Sequence, residues 1–240
     1  MNYQIQKAAL ISGIGIFIMV LSVPVAEFVI FPDLFDYGNA EITFKNIQKN
    51  RELFVTGIFL HTITLICDVV VAWALYIFLR PVNRDFSLLI SLFRIVFTVV
   101  TLSALLNLVG LLNLTQNAEY LSAFDQSLYA KVLLSIKNFN LQWSFAFVFF
   151  GTYLIMLGIL VFQAFYVPRI FGILLIIAGA GYLIDTLRIF FFPSTKMDYL
   201  MITFFGELVF MLWLLIKGWR VKVFENNKNQ ETEYNKDYHP

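Results

Sequence analysis

Apolar residues run in six long blocks separated by short polar stretches: 8–31, 53–78, 86–113, 139–163, 169–192 and 199–217. Each is close to or above the ~20 residues a helix needs to cross the hydrocarbon core of a bilayer. A segment in lipid must satisfy its own backbone hydrogen bonds, which a helix does and an isolated strand does not. A membrane barrel would instead show alternating segments of about ten residues. The pattern therefore predicts an all-α, polytopic transmembrane helix bundle of six spans, forming a single domain over residues 1–218. The polar stretch 219–240 is expected to be a disordered cytoplasmic tail.

The connections differ in length. Stretches 80–85, 165–168 and 193–198 are short, and Pro81 and Pro168 mark two of them as turns. Spans two and three, and spans four and five, are thus expected to be tight antiparallel hairpins. Stretches 32–52 and 114–138 are long and carry apolar residues at helical spacing. In the second, Leu121, Phe124, Leu128 and Val132 recur at three- and four-residue steps. Two readings stay open for 114–138: a helix lying in the headgroups, or an extension of span four. Pro24 lacks an N–H and should leave the Val20 carbonyl unpaired and kink span one.

Basic residues orient the spans. With both termini cytoplasmic, the inner side carries Lys7, Arg80, Arg84, Arg169, Lys217, Arg220, Lys222, Lys228 and Lys236. The outer side carries Lys45, Lys49, Arg51, Lys131, Lys137 and Lys196. Nine against six favours both ends inside.

Composition narrows the classes further. The chain of 240 residues is 60% hydrophobic and 14% charged, where an ordinary soluble domain is about 45–50% apolar and about 25% charged. A soluble domain of this length could not hide that surface. The net charge of +1 provides no basic field for nucleic acid. Cys67 is the one cysteine, so neither an intramolecular disulfide nor a CxxC site exists. Two histidines, His61 and the penultimate His239, make a bis-histidine haem unfavourable and a three-histidine zinc site impossible. No GxxxxGK[ST] loop occurs, and no lysine lies deep in a span to form a retinal Schiff base. No cofactor is expected. The block after Lys7 has no A-x-A cleavage site, so it reads as a retained span. The expected partners are the lipid bilayer and a small-molecule or lipid ligand; the oligomeric state is open.

The chemistry concentrates in ionisable residues placed inside the spans, where a charge costs about 2.5–3.5 kcal/mol even on the mildest scale. These are Glu27, His61, Asp68, Arg94, Asp185, Arg188 and Glu207. At about 1.5 Å per residue, Asp68 lies about 15 Å and Arg94 about 12 Å from the inner side. The short 80–85 turn makes their helices neighbours, so an Asp68–Arg94 ion pair is expected. The other five lie nearer the outer side, Glu27 and Arg188 about 6 Å deep and His61, Asp185 and Glu207 about 10–12 Å deep. They are expected to form an outward-facing acidic/His pocket, with Asp185 and Arg188 pairing locally at three-residue spacing. The polar stripes Gly57–His61–Thr64–Asp68 and Ser91–Arg94–Thr98–Thr101 step at helical intervals and point inward.

Four readings of that cluster remain. It could bind or conduct a small substrate, lipid headgroup or cation. It could be a hydrolase or transferase site with Glu207 and Asp185 as acid and base. It could be a weak metal site of His61, Asp185 and Glu207. It could be a structural network in an accessory subunit. The pairs Gly151/Gly158 and Gly172/Gly179 recur at seven residues, as close helix packing requires.

The ordered landmarks resemble a bacterial multi-span family known as domain of unknown function 4386. They are Ala26-Glu27-Phe28; Asp68 followed by Ala72-Trp73-Ala74-Leu75-Tyr76; Leu79-Arg80-Pro81-Val82-Asn83-Arg84; Phe93-Arg94; Phe149-Phe150-Gly151; Val167-Pro168-Arg169-Ile170-Phe171-Gly172; Gly181-Tyr182-Leu183-Ile184-Asp185; and Gly206-Glu207-Leu208. The resemblance spans roughly residues 8–218. It implies a multi-pass protein of the bacterial plasma (inner) membrane with these acids as landmarks, and it implies no activity. It also leads one to expect histidines in span four, where this chain has Asn138, Asn140 and Tyr153.

Overall fold

The structure, a computed structural model, describes residues 2–116, 127–192 and 205–223. Among these the regular elements are all helical: α1 (Asn2–Pro24), a π-helical segment (Val25–Ile30), α2 (Phe31–Leu34), α3 (Ala40–Lys49), α4 (Arg51–Leu79), α5 (Arg84–Leu114), α6 (Ser127–Gln163), α7 (Arg169–Phe191) and α8 (Phe205–Ile216), followed by a 3-10 turn at Gly218–Arg220.

Among the described residues, five helical stretches are long and apolar enough to cross a membrane: Asn2–Leu34, Arg51–Leu79, Arg84–Leu114, Ser127–Gln163 and Arg169–Phe191. The chain is a multi-pass membrane protein. Large apolar side chains such as Phe28, Phe59, Ile66, Trp73 and Leu106 are exposed on the outside of the bundle, where lipid would cover them. The first four helices run past the apolar blocks at one or both ends. Hydropathy marks the lipid-embedded part of a helix, but backbone hydrogen bonding continues through the headgroup region. The expected sixth span, 199–217, begins outside the described residues. Its described part, α8, is 12 residues long, about 18 Å, which is short of the ~30 Å core.

Stretch 32–52 contains α2 and the amphipathic α3. Asn39 caps α3, its side chain accepting from the Glu41 and Ile42 N–H groups. Phe44 and Ile47 are buried against the bundle, while Glu41 and Lys45 pair on the exposed face at 2.6 Å. Within 114–138, Leu114 ends α5 and residues 127–138 belong to α6, 37 residues long. Leu128 and Val132 are buried on its inner face, so this part extends span four. Leu121 and Phe124, the 193–198 turn, Lys196 and the tail from 224 onward, with Lys228, Lys236 and His239, lie outside the described residues.

Each long helix packs on its chain neighbours. α1 lies on α4, α4 on α5, α5 on α6, α6 on α7 and α7 on α8, and α8 returns to α1. The short turns produce this order: Asn83 caps α5 by accepting from the Phe86 N–H, and Pro168 starts α7. Polar ties close the ring, with the Gln6 amide donating to the Val221 carbonyl at 3.0 Å and the Val223 N–H to the Asn2 side chain at 3.1 Å. α6 and α7 touch backbone to backbone. A Cβ at Gly151 would sit 2.8 Å from the Gly179 carbonyl oxygen, and one at Gly158 2.6 Å from that of Gly172.

Two apolar clusters fill the interior. One, with Ile90, Phe97, Tyr153 and Leu157, lies towards the 80–83 turn. The other, with Phe31, Ala104, Leu108 and Val132, lies towards α3. Along α5 the buried polar residues Arg94, Thr98 and Thr101 lie where the first gives way to the second.

Candidate functional site

Arg94 is the centre of the buried polar layer. Its Nε donates to Asp68 Oδ1 at 2.9 Å, and Nη2 lies 2.7 Å from the same oxygen as an ion-pair contact. Its Nη1 donates to the Tyr153 hydroxyl oxygen at 2.6 Å and reaches Glu207 Oε1 at 3.5 Å. Its Nη2 also lies 3.8 Å from Met19 Sδ. The guanidinium stands over the Tyr153 ring, 4.9 Å from its centroid. One side chain from α5 therefore contacts α1, α4, α6 and α8. Guanidinium stays charged at any ordinary pH, so a helix carrying it inside a membrane must bring partners to it.

Above this layer, towards α3, is a cavity of about 250 Å³. Asp68, Arg94 and Glu207 form its charged floor, and Thr64 and Thr101 lie higher on its wall. Most of the wall is apolar or aromatic, including Ile16, Phe97, Trp143, Phe147, Phe150 and Tyr182. All six long elements of the ring contribute to it.

The remaining ionisable residues divide into two further groups. Glu27 lies on the π-helical segment that begins directly after Pro24, where the Phe31 N–H bonds back to the Ala26 carbonyl, five residues away. This segment carries Glu27 to His61: Oε1 is 3.0 Å from Nε2. The contact is off the N–H axis, so it brings charge close without forming a hydrogen bond, and neither His61 ring nitrogen has a hydrogen-bond partner among the described residues. His61 is buried in an aromatic box, stacked on Phe31 (5.5 Å) and edge-on to Trp143 (4.6 Å) and Phe139 (5.8 Å). Asp185 and Arg188 pair along α7 at 2.8 Å, partly exposed and away from the cavity wall.

The five residues expected to share one outer pocket thus occupy three places. Glu207 goes to Arg94, Glu27 to His61, and Asp185 to Arg188. The difference has a simple cause. Depth along an axis says nothing about which way a side chain points around it, and Asp185 and Arg188 satisfy each other on one face. Among the described residues no three His, Cys, Asp or Glu side chains stand where they could hold a metal ion. The weak ligand set His61, Asp185 and Glu207 is not assembled, and Glu207 and Asp185 face different arginines.

Several residues of the site carry weaker signals in the sequence. Tyr153 lies on the stripe Ala146–Phe150–Tyr153–Leu157, all buried at helical spacing, and a tyrosine in mid-span needs a hydroxyl partner. Met19 and the aromatic wall have no signal that separates them from packing residues. Outside the spans, Tyr166 in the 164–168 turn donates to the Phe78 carbonyl, and burial raises its pKa.

Residues 11–218 match the family described as domain of unknown function 4386. The chain belongs to this family. A relative in Archaeoglobus fulgidus, described as an uncharacterized protein, is 37% identical over 164 residues, covering 68% of this chain and 83% of that one. No solved structure matches the chain.

Proposed function

We propose that this family member crosses the plasma (inner) membrane of a bacterial cell six times, with both termini cytoplasmic, and that its central cavity binds or conducts a small substrate, lipid headgroup or cation. The observation that carries this reading is the charged floor. Asp68, Arg94 and Glu207 meet at the end of a largely apolar hollow. An apolar cavity holds a ligand body, and a few polar groups orient it. The basic residues near the 80–83 turn, the 164–168 turn and the end of α8 support the orientation.

A second reading has its own observation. Arg94 joins four helices, so the same group could serve mainly to fix the bundle. Val20 is an apolar residue of the cavity wall, and Val20→Trp would fill the space. Native mass spectrometry of protein released from lipid nanodiscs should show a retained small molecule on the wild type and none on Val20→Trp of unchanged melting temperature. An empty wild type, or equal retention on both, would refute the binding reading.

A further inference from the structure

We propose that the ligand of the central cavity is an organic ammonium ion: an apolar body with a cationic head at Glu207 and a hydrogen-bonding group at the opposite end, near Thr101. This deepens the cavity reading and rests on it.

The first support is charge. The cavity floor holds two carboxylates, Asp68 and Glu207, against one cation, Arg94, and among the described residues no other Lys, Arg or His lines the cavity. Asp68 takes the short contacts with Arg94, at 2.7 and 2.9 Å. Glu207 has the long one, 3.5 Å, and its side chain keeps 17% of its surface accessible. With both carboxylates ionised, one negative charge is left over beside the cavity, in a setting where unpaired charge is costly. An anionic ligand would add to the imbalance.

The second support is the wall. Phe97 and Phe150 lie 4.7 Å apart, Phe150 and Tyr182 5.1 Å, and Phe147 and Tyr182 5.0 Å, centroid to centroid. With Trp143 they line the cavity as one aromatic cluster, and the Arg94 guanidinium already lies over the Phe150 ring at 5.8 Å. Ring faces attract cations, and cages of such rings recognise organic ammonium groups. A bare metal ion needs several oxygen ligands, which this wall does not supply.

The third support is Thr101. Its hydroxyl lines the cavity, is buried, and has no hydrogen-bond partner among the described residues. A buried polar group without a partner is uncommon. Thr101 is seven residues beyond Arg94 on α5, about 10 Å along the axis. A ligand that meets both Glu207 and Thr101 therefore carries a second polar group apart from its charge.

A proton on Glu207 is the rival way to balance the site, and the test separates the two. Four probes would be titrated calorimetrically into protein in nanodiscs: octyltrimethylammonium, octanol, octanoate, and octylamine bearing a terminal hydroxyl. The wild type should bind the ammonium probe about ten-fold or more tighter than octanol, the scale expected when a cation meets aromatic faces and a carboxylate out of water. Glu207→Gln should remove that preference and leave octanol unchanged, while Glu207→Asp should keep part of it. Thr101→Val should weaken the hydroxyl-bearing amine by about three-fold, the scale of one hydrogen bond, and leave octyltrimethylammonium alone. A wild type that does not discriminate charge, or a preference that survives Glu207→Gln, would overturn the proposal. If Val20→Trp displaces the retained molecule but charge discrimination is missing, the ammonium assignment alone falls. If Val20→Trp displaces nothing, the cavity reading falls with it.

Discussion

Arg94 and His61 are both fully buried, both face a carboxylate, and are treated in opposite ways by the fold. Around Arg94 four helices each bring a contact: two of its nitrogens donate to Asp68 and Tyr153 at 2.9 and 2.6 Å, and the third lies 2.7 Å from Asp68 Oδ1. Around His61 the fold brings three aromatic rings and one off-axis carboxylate, and both ring nitrogens go without a hydrogen bond among the described residues. The difference follows from what each side chain can do. Guanidinium cannot shed its charge, so its burial needs an anion and aligned acceptors. Imidazole can be neutral, so it can sit in an apolar box at the cost of unmade hydrogen bonds. The comparison teaches that charge that cannot be titrated away forces convergence of helices, whereas charge that can be leaves the surroundings free.

The largest expected effect breaks the Arg94 side. Arg94→Met should lower stability by about 3–5 kcal/mol, because it leaves Asp68 buried without its partner. Thermal unfolding in detergent measures it. The double change Arg94→Met with Asp68→Asn should recover a large part of the loss, since it removes the orphaned charge. A loss under about 1 kcal/mol for the single variant would mean the charges are solvated and the contrast with His61 is empty.

Next comes Tyr153→Phe, which keeps the ring under the guanidinium and removes the acceptor at 2.6 Å. A hydrogen bond to a charged group is worth about 1.5–3 kcal/mol, and the loss should fall in that range by the same measurement. A change near zero would show that Arg94 is satisfied by Asp68 alone.

How far the sequence reveals this contrast depends on which geometry it encodes. Span positions follow from hydropathy, and the relative height of Asp68 and Arg94 follows from counting out from the short turn between their helices. The same counting sets Glu207 with the outer group, because it ignores rotation about the helix axis and the length of an arginine side chain. Arg94 can reach a carboxylate whose backbone is nearer the other end. Pro24 signals a break in α1, but the six-residue π-helical segment after it depends on packing against α4, including Gly57 under Phe31, where a Cβ would sit 2.5 Å from the ring. The cavity is the least legible feature. It is the space left by aromatic residues that look like ordinary packing bulk, and its wall draws on every helix of the ring.

The smallest effect concerns the His61 side and would sharpen the comparison most. His61→Phe keeps a flat ring that can stack on Phe31 and meet Trp143 edge-on. It removes two nitrogens that have no hydrogen-bond partner among the described residues. Replacing unsatisfied buried polar atoms with apolar ones of similar shape is close to neutral or stabilising, so the melting midpoint should stay level or rise, within about 1 kcal/mol of the wild type. Glu27 Oε1 is itself buried without a hydrogen-bond partner among the described residues, but the side chain keeps 31% of its surface and can turn outward once His61 is gone. A loss above about 2 kcal/mol would imply that His61 is a charged partner of Glu27. The two sites would then follow one rule, convergence around charge, and the off-axis contact would be a poor guide to the strength of the pair.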